Sequence, residues 1–185
     1  MTPQELTEYS GEHLFYEFTT FWRLAGIVPL MDGLMQSALL ESYLIHLRNL
    51  IDFLYRPRDR DDDVIAADFF DDPASWTPTI SATLERAQIR ANKEMSHLTT
   101  KRKSGSQPQK EWDVGGLSKE IWQTTKDFAA KASYKKLHPK VRELFNLPEA
   151  RLLVAIGAGS NTTNTVSHIM TMTSSPGLAS RKNKP

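Results

Sequence analysis

Leu40, Leu44, Leu47, Ile51 and Leu54 step through "LESYLIHLRNLIDFLY" at spacings of 4, 3, 4 and 3. No other feature of the chain restricts its fold as tightly. A strand sends alternate side chains to opposite faces, so this spacing would scatter the five apolar groups. A helix at 3.6 residues per turn gathers them on one stripe. Such a stripe is stable only when other elements cover it, so the run demands a bundle rather than a lone helix. Arg56 followed by Pro57 ends it, because proline disfavours helical backbone at the residue before it.

Other segments carry the same period. "TPQE" at 2–5 reads as a capping box: Thr2 caps, Pro3 suits the first helical position, and Glu5 reaches back. Leu14, Phe18, Phe21 and Ala25 then form one face, and Gly26 with Pro29 closes the helix. Thr77 and Pro78 read as the cap and first residue of a third helix with Ile80, Leu84, Ala87, Ala91, Met95 and Leu98 as its buried stripe. Gly115 and Gly116 precede a fourth helix, expected to be capped by Ser118 and to bury Ile121, Phe128 and Ala132. A short fifth helix after Pro139 carries Val141, Leu144 and Phe145, and "PEARLLVAI" at 148–156 is expected to dock as a last segment.

Between the second and third helices lies "RPRDRDDDVIAADFFDDPASW". Aspartates and prolines disfavour a long helix, yet Val64, Ile65, Phe69 and Phe70 are too apolar for free solvent. Residues 56–76 are expected to be an ordered loop packed over the bundle, of the kind that often carries function. Residues 101–116 read as a polar, basic, flexible connector, and 157–185, rich in Ser, Thr, Asn and Gly, as a disordered tail. The expected fold is all-α: a bundle of four to five helices over residues 1–156 with that tail appended.

Bulk properties narrow the function classes. The 185 residues carry a formal net charge of +1, so no overall field calls for nucleic acid or acidic lipid. With no cysteine, the chain has no disulfide, thiolate metal site or cysteine nucleophile. The polar start "MTPQELTEYSGEH" does not read as a signal peptide, and no apolar run approaches a membrane span. A cytoplasmic protein without a membrane association is expected.

Chemistry is concentrated in "RANKEMSH", residues 90–97. Seven residues bring a helical side chain back to within about 20°, so Arg90, Glu94 and His97 share a face distinct from the apolar stripe. A histidine there can move protons to or from a 2′-hydroxyl, and a guanidinium can stabilise charge on a phosphate, with no metal. Glu94 and His97 also form a Glu-x-x-His step of the di-iron kind. No second such step exists, and His13 with Glu17 makes an incomplete set, so no metal and no cofactor is expected. Arg48 and Asp52 form an i, i+4 pair on the second helix, with Glu41 on the same face. They read either as charges that orient the second and third helices or, with Asn49, as the lining of a cleft shared with His97. His46 is expected at the surface or core edge.

Arginine, a gap of four to six residues, then histidine on a helix of a small all-α bundle resembles the HEPN superfamily. The gap here is six, and Ala91 stands where family members often have a polar residue. The resemblance implies a metal-independent ribonuclease of a toxin–antitoxin or phage-defence type, with Arg90 and His97 catalytic. It implies RNA and an antitoxin or other protein as partners, and a homodimer. Arg48, Asn49, Asp52, Asn92, Lys93 and Glu94 are the candidate binding residues. The alternative is a non-catalytic helical binding module that uses the same cleft or the Asp-rich loop.

Overall fold

The computed structural model describes residues 1–96 and 111–146, with only the backbone given at 94–96. Among the described residues there is no strand; the chain is an all-α bundle. Its helices are α1 (Pro3–Tyr9), α2 (Phe15–Ile27), α3 (Gly33–Tyr55), α4 (Ala82–Ser96), α5 (Val114–Lys131) and α6 (Pro139–Asn146). The segment 147–156 and the tail 157–185 lie outside the described residues.

The capping box forms as its sequence requires. Glu5 N donates to Thr2 Oγ1 at 3.2 Å and Thr2 N donates to Glu5 Oε2 at 2.6 Å. Helices α1 and α2 run on as one rod through a π turn at Ser10–Leu14. Close packing accompanies that widened turn: a Cβ at Gly11 would stand 2.7 Å from Cδ2 of His138. Ser10 Oγ accepts from His138 N at 3.0 Å, which fixes the entry to α6 against the turn.

Helix α3 is the centre of the bundle. It is longer than the leucine stripe, starting at Gly33, whose φ of +55° suits a residue without Cβ. Leu47, Leu50, Ile51 and Leu54 are each no more than 1% exposed. Full burial of four such side chains is worth roughly 6–12 kcal/mol gross, far more than any surface ion pair in the molecule. Aromatic rings fill the space around them. Phe21 stacks on Tyr43 at 5.0 Å, Trp22 meets Trp122 edge-on at 5.1 Å, and Phe53 meets Phe128 at 5.3 Å.

The Asp-rich stretch 56–76 closes over one side of this core. Phe69 and Phe70 are buried, and Trp76 stacks on Phe70 while its Nε1 donates to Leu54 O at 2.9 Å. Its aspartates supply acceptors that a loop without regular structure lacks. Asp63 takes Arg60 N at 2.8 Å, Asp72 takes Ala74 N at 3.1 Å, and Asp68 takes both Ile65 N at 3.1 Å and the Arg58 guanidinium at 2.6 Å.

Two helix starts differ from expectation. Helix α4 begins at Ala82, not at Thr77–Pro78, because Ser81 Oγ accepts Leu84 N at 3.1 Å and so provides the cap. Helix α5 begins at Val114, so Val114, Gly115 and Gly116 form its first turn rather than the end of a connector. Asp113, not Ser118, caps it: its Oδ1 accepts Gly116 N at 2.8 Å, and a Cβ at Gly116 would lie 2.2 Å from Oδ2. Ser118 is buried instead, 3.0 Å from the hydroxyl of Tyr43, which also donates to Val114 O at 3.2 Å. Arg142 of α6 stacks on Tyr134 and donates to Ala129 O and Ala132 O, covering the open carbonyls at the end of α5.

Burial pushes the phenols of Tyr9, Tyr43 and Tyr55 above the ordinary tyrosine range. Raised values in the folded state mean that their stabilising contribution is complete below the unfolded value of about 10 and is lost as pH rises beyond it. Thermal melts are therefore expected to be flat from pH 8 to about 9.5 and to fall steeply toward 11. Tyr43→Phe is expected to lower stability by about 1 kcal/mol at neutral pH and to flatten that alkaline fall. A wild-type melting temperature unchanged at pH 11 would contradict this account.

Candidate functional site

The residues at the edge of the buried stripe are polar: Arg48, Asn49 and Asp52 on α3, and Arg56, the residue that ends it. They fall at spacings of 1, 3 and 4, which a helix places along one side. Helix α4 runs antiparallel beside them and answers each from its own side. Arg48 Nη1 donates to Asn92 Oδ1 at 3.3 Å, Gln88 Nε2 donates to Asp52 Oδ1 at 2.5 Å, and Arg56 Nη2 donates to Gln88 Oε1 at 2.6 Å. Glu85 lies 3.9 Å from Arg56 at the end of this seam. Gln88 is buried, so its amide is a two-ended bridge with both ends satisfied.

Helix α2 contributes the opposite wall. Glu17 Oε2 lies 2.7 Å from His46 Nδ1, and its Oε1 accepts Asn49 Nδ2 at 3.4 Å. His46 is buried, packed edge-on by Tyr16 at 5.7 Å. Of the two positions expected for this histidine, the surface is corrected and the core edge holds, because α2 lies over that side of α3. His13, four residues before Glu17, stacks on Tyr9 instead, at 5.0 Å.

Between these walls and the Asp-rich stretch lies a groove of about 820 Å³. Its charged lining is Glu17, Asp52, Asp59, Asp62 and Asp63 against Arg48, Arg56 and Arg60; Tyr9 and Asn49 complete the polar surface. Asp52 opens into the groove, yet the protein around it pushes its carboxyl above the usual carboxylate range. Desolvation outweighs the opposing pull of Arg48, Arg56 and the Gln88 hydrogen bond. Among the described residues no three His, Cys, Asp or Glu side chains come together as a metal-binding group.

The structure thus brings Arg48, Asn49, Asp52 and Asn92 to one seam. It does not bring Arg90 there. The Arg90 guanidinium lies 3.9 Å over the Trp112 ring and donates to Glu111 O at 2.8 Å. Arg90 is two positions from both Gln88 and Asn92, so it stands about 160° around α4 from them. Lys93 is exposed. Glu94 is described only in its backbone, and His97 lies outside the described residues. Three members of the site were not singled out from sequence for the parts they take. Gln88 carried a signal, a polar residue set inside the apolar run Leu84, Ala87 and Ala91. The Glu17–His46 pair carried none, since it joins helices whose register no local pattern fixes.

Compared with known proteins, the sequence matches no family model, no curated protein and no solved structure.

Removing one partner from the Glu17–His46 pair strands the other in a largely dehydrated position. Glu17→Ala and His46→Ala are each expected to cost about 1–3 kcal/mol in urea unfolding. The double variant should cost less than the sum by at least about 0.5 kcal/mol. Strict additivity would show that the two side chains do not interact.

Proposed function

We propose that this chain is a helical binding module whose groove holds a cationic segment of a protein partner. One observation carries the reading: five carboxylates face three guanidinium groups on the groove walls. Two of those three guanidiniums are already committed, Arg48 to Asn92 and Arg56 to Gln88. Asp59 and Asp62, by contrast, are exposed at the lip. An incoming lysine or arginine side chain finds carboxylates at the lip and Asp52 and Glu17 further in. A phosphate backbone meets a surface of the wrong sign. Burial raises the Asp52 carboxyl above its ordinary range, and a cation beside it would favour its charged form.

A HEPN-like ribonuclease is the second reading drawn from the sequence, and it needs Arg90 and His97 on one open cleft. The Arg90 guanidinium stacked on Trp112, away from the polar seam, gives that reading less support. Exposed Arg86 and Lys93 on α4 are what remains in its favour.

Fluorescence anisotropy with labelled Lys/Arg-rich, neutral and acidic peptides and with a short single-stranded RNA separates the two. The basic peptide alone should bind, with affinity falling as salt is raised. The double change Asp59→Asn with Asp62→Asn, at exposed positions, should weaken it about tenfold without altering the melting temperature. Preference for RNA, joined to EDTA-resistant cleavage that His97→Ala abolishes, would replace this reading with the nuclease.

A further inference from the structure

The outer side of the α2–α3 hairpin is apolar where a surface should be polar. On α3 nothing from Gly33 to Ser42 is buried, while eight residues between Tyr43 and Leu54 are. The first ten residues of the helix, about 15 Å, therefore lie at the edge of the core, which only Leu39 and Leu40 among them touch. No charged residue stands between Asp32 and Glu41. Leu34 is 86% exposed, Met35 59% and Ile45 47%; on α2 and the corner beyond it, Tyr16 is 58%, Ile27 40% and Leu30 73% exposed.

These six residues belong to one surface. Leu34 and Ile45 are eleven residues apart, as are Tyr16 and Ile27, and eleven residues return a helix to within about 20°. Each helix thus carries an exposed apolar pair on a single side. The helices are antiparallel neighbours, tied at one end by Gln36 Nε2 to Val28 O at 3.4 Å and at the other by Tyr16 against His46. Exposed Ala38 lies on the same side of α3, between the two apolar ends, and leaves room for another backbone to approach.

We propose that this face is the interface of an isologous dimer formed with a second copy of the chain. Two arguments select that occupant. The first is area. The six side chains expose on the order of 600 Å², the upper limit for the largest apolar patch of an ordinary monomer. Two copies bury on the order of 1,200 Å², the lower edge of the range for specific interfaces. The second is charge. A two-fold interface must be complementary to itself. The middle of this face carries Arg23 and Glu41, one cation and one anion, on facing helices. Rotation about an axis through the middle sets each near its opposite in the other copy. On α3 the face ends at Ile45 and the groove begins at Arg48.

Sedimentation equilibrium of the full chain between about 5 and 500 µM is expected to show a monomer–dimer equilibrium. Leu34→Glu should weaken it at least about tenfold, because two new carboxylates meet a desolvated patch. Leu34 is 86% exposed, so the variant should keep the wild-type melting temperature at low concentration. Because the chain has no cysteine, Ala38→Cys introduces a single thiol. A bifunctional maleimide of about 15 Å reach, longer than a disulfide can span, should link Ala38→Cys into a covalent dimer and leave Ser75→Cys, on the Asp-rich stretch, unlinked. A monomer at every concentration, a dimer indifferent to Leu34→Glu, or equal linkage of both cysteine variants would each overturn the proposal.

Discussion

Burial of one side of α3 is the constraint on which the rest of the structure depends. Leu47, Leu50, Ile51 and Leu54 are sealed from water, and everything else is arranged to seal them. Helix α2 covers one flank, α4 another, and Phe69 of the Asp-rich stretch closes the end with Phe128 of α5 at 5.7 Å. Because the apolar stripe occupies only part of the circumference, the remaining side of the same helix must find other company. Its C-terminal half has found it in the Gln88 bridge and in Asn92. Its N-terminal half presents Leu34, Ala38 and Ile45 outward. One helix therefore imposes both surfaces that the molecule presents, a polar groove and an apolar face.

The groove is made possible by its supporting polar contacts rather than by its charges alone. Arg56 reaches Gln88, Gln88 reaches Asp52, and Asn49 and His46 hold the two oxygens of Glu17. Glu17, Asn49, Asp52 and Arg56 are thus each oriented by a neighbour behind or beside them, which is how side chains are held ready for a ligand. The Asp-rich stretch has two tasks that its composition merges. Asp63, Asp68 and Asp72 accept the loop's own N–H groups, while Asp59 and Asp62 line the lip.

The sequence made the helices legible wherever burial alternates with exposure at the helical period, as in Leu40 to Leu54. It was less informative at helix starts. Thr77–Pro78 has good start chemistry, but Trp76 is committed to Phe70 and Leu54, and the chain stays outside regular structure until Ser81 can cap. Asp113 outcompetes Ser118 because an aspartate followed three residues later by Gly116 leaves the capped amide unobstructed. At the site, Arg48 and Asp52 could be read as facing a neighbouring helix, because charges at i and i+4 beside an apolar stripe must be paired. The partners could not be read. Glu17 and His46 are 29 residues apart, and Arg48 and Asn92 are 44 apart, so only the packing of whole helices decides that they meet. Arg90 shows the converse: its spacing to His97 suggested a shared face, but Trp112, 22 positions later in the chain, fixes where the guanidinium goes.

The most direct test is an amide chemical-shift map of isotopically labelled protein during titration with a short Lys/Arg-rich peptide. A cationic segment seated in the groove should shift a contiguous set around Glu17, Asn49, Asp52 and residues 59–63, and leave Arg90 and Trp112 unchanged. Shifts confined to α4 around Arg86, Arg90 and Lys93, or spread evenly over the surface, would contradict the groove as the binding site.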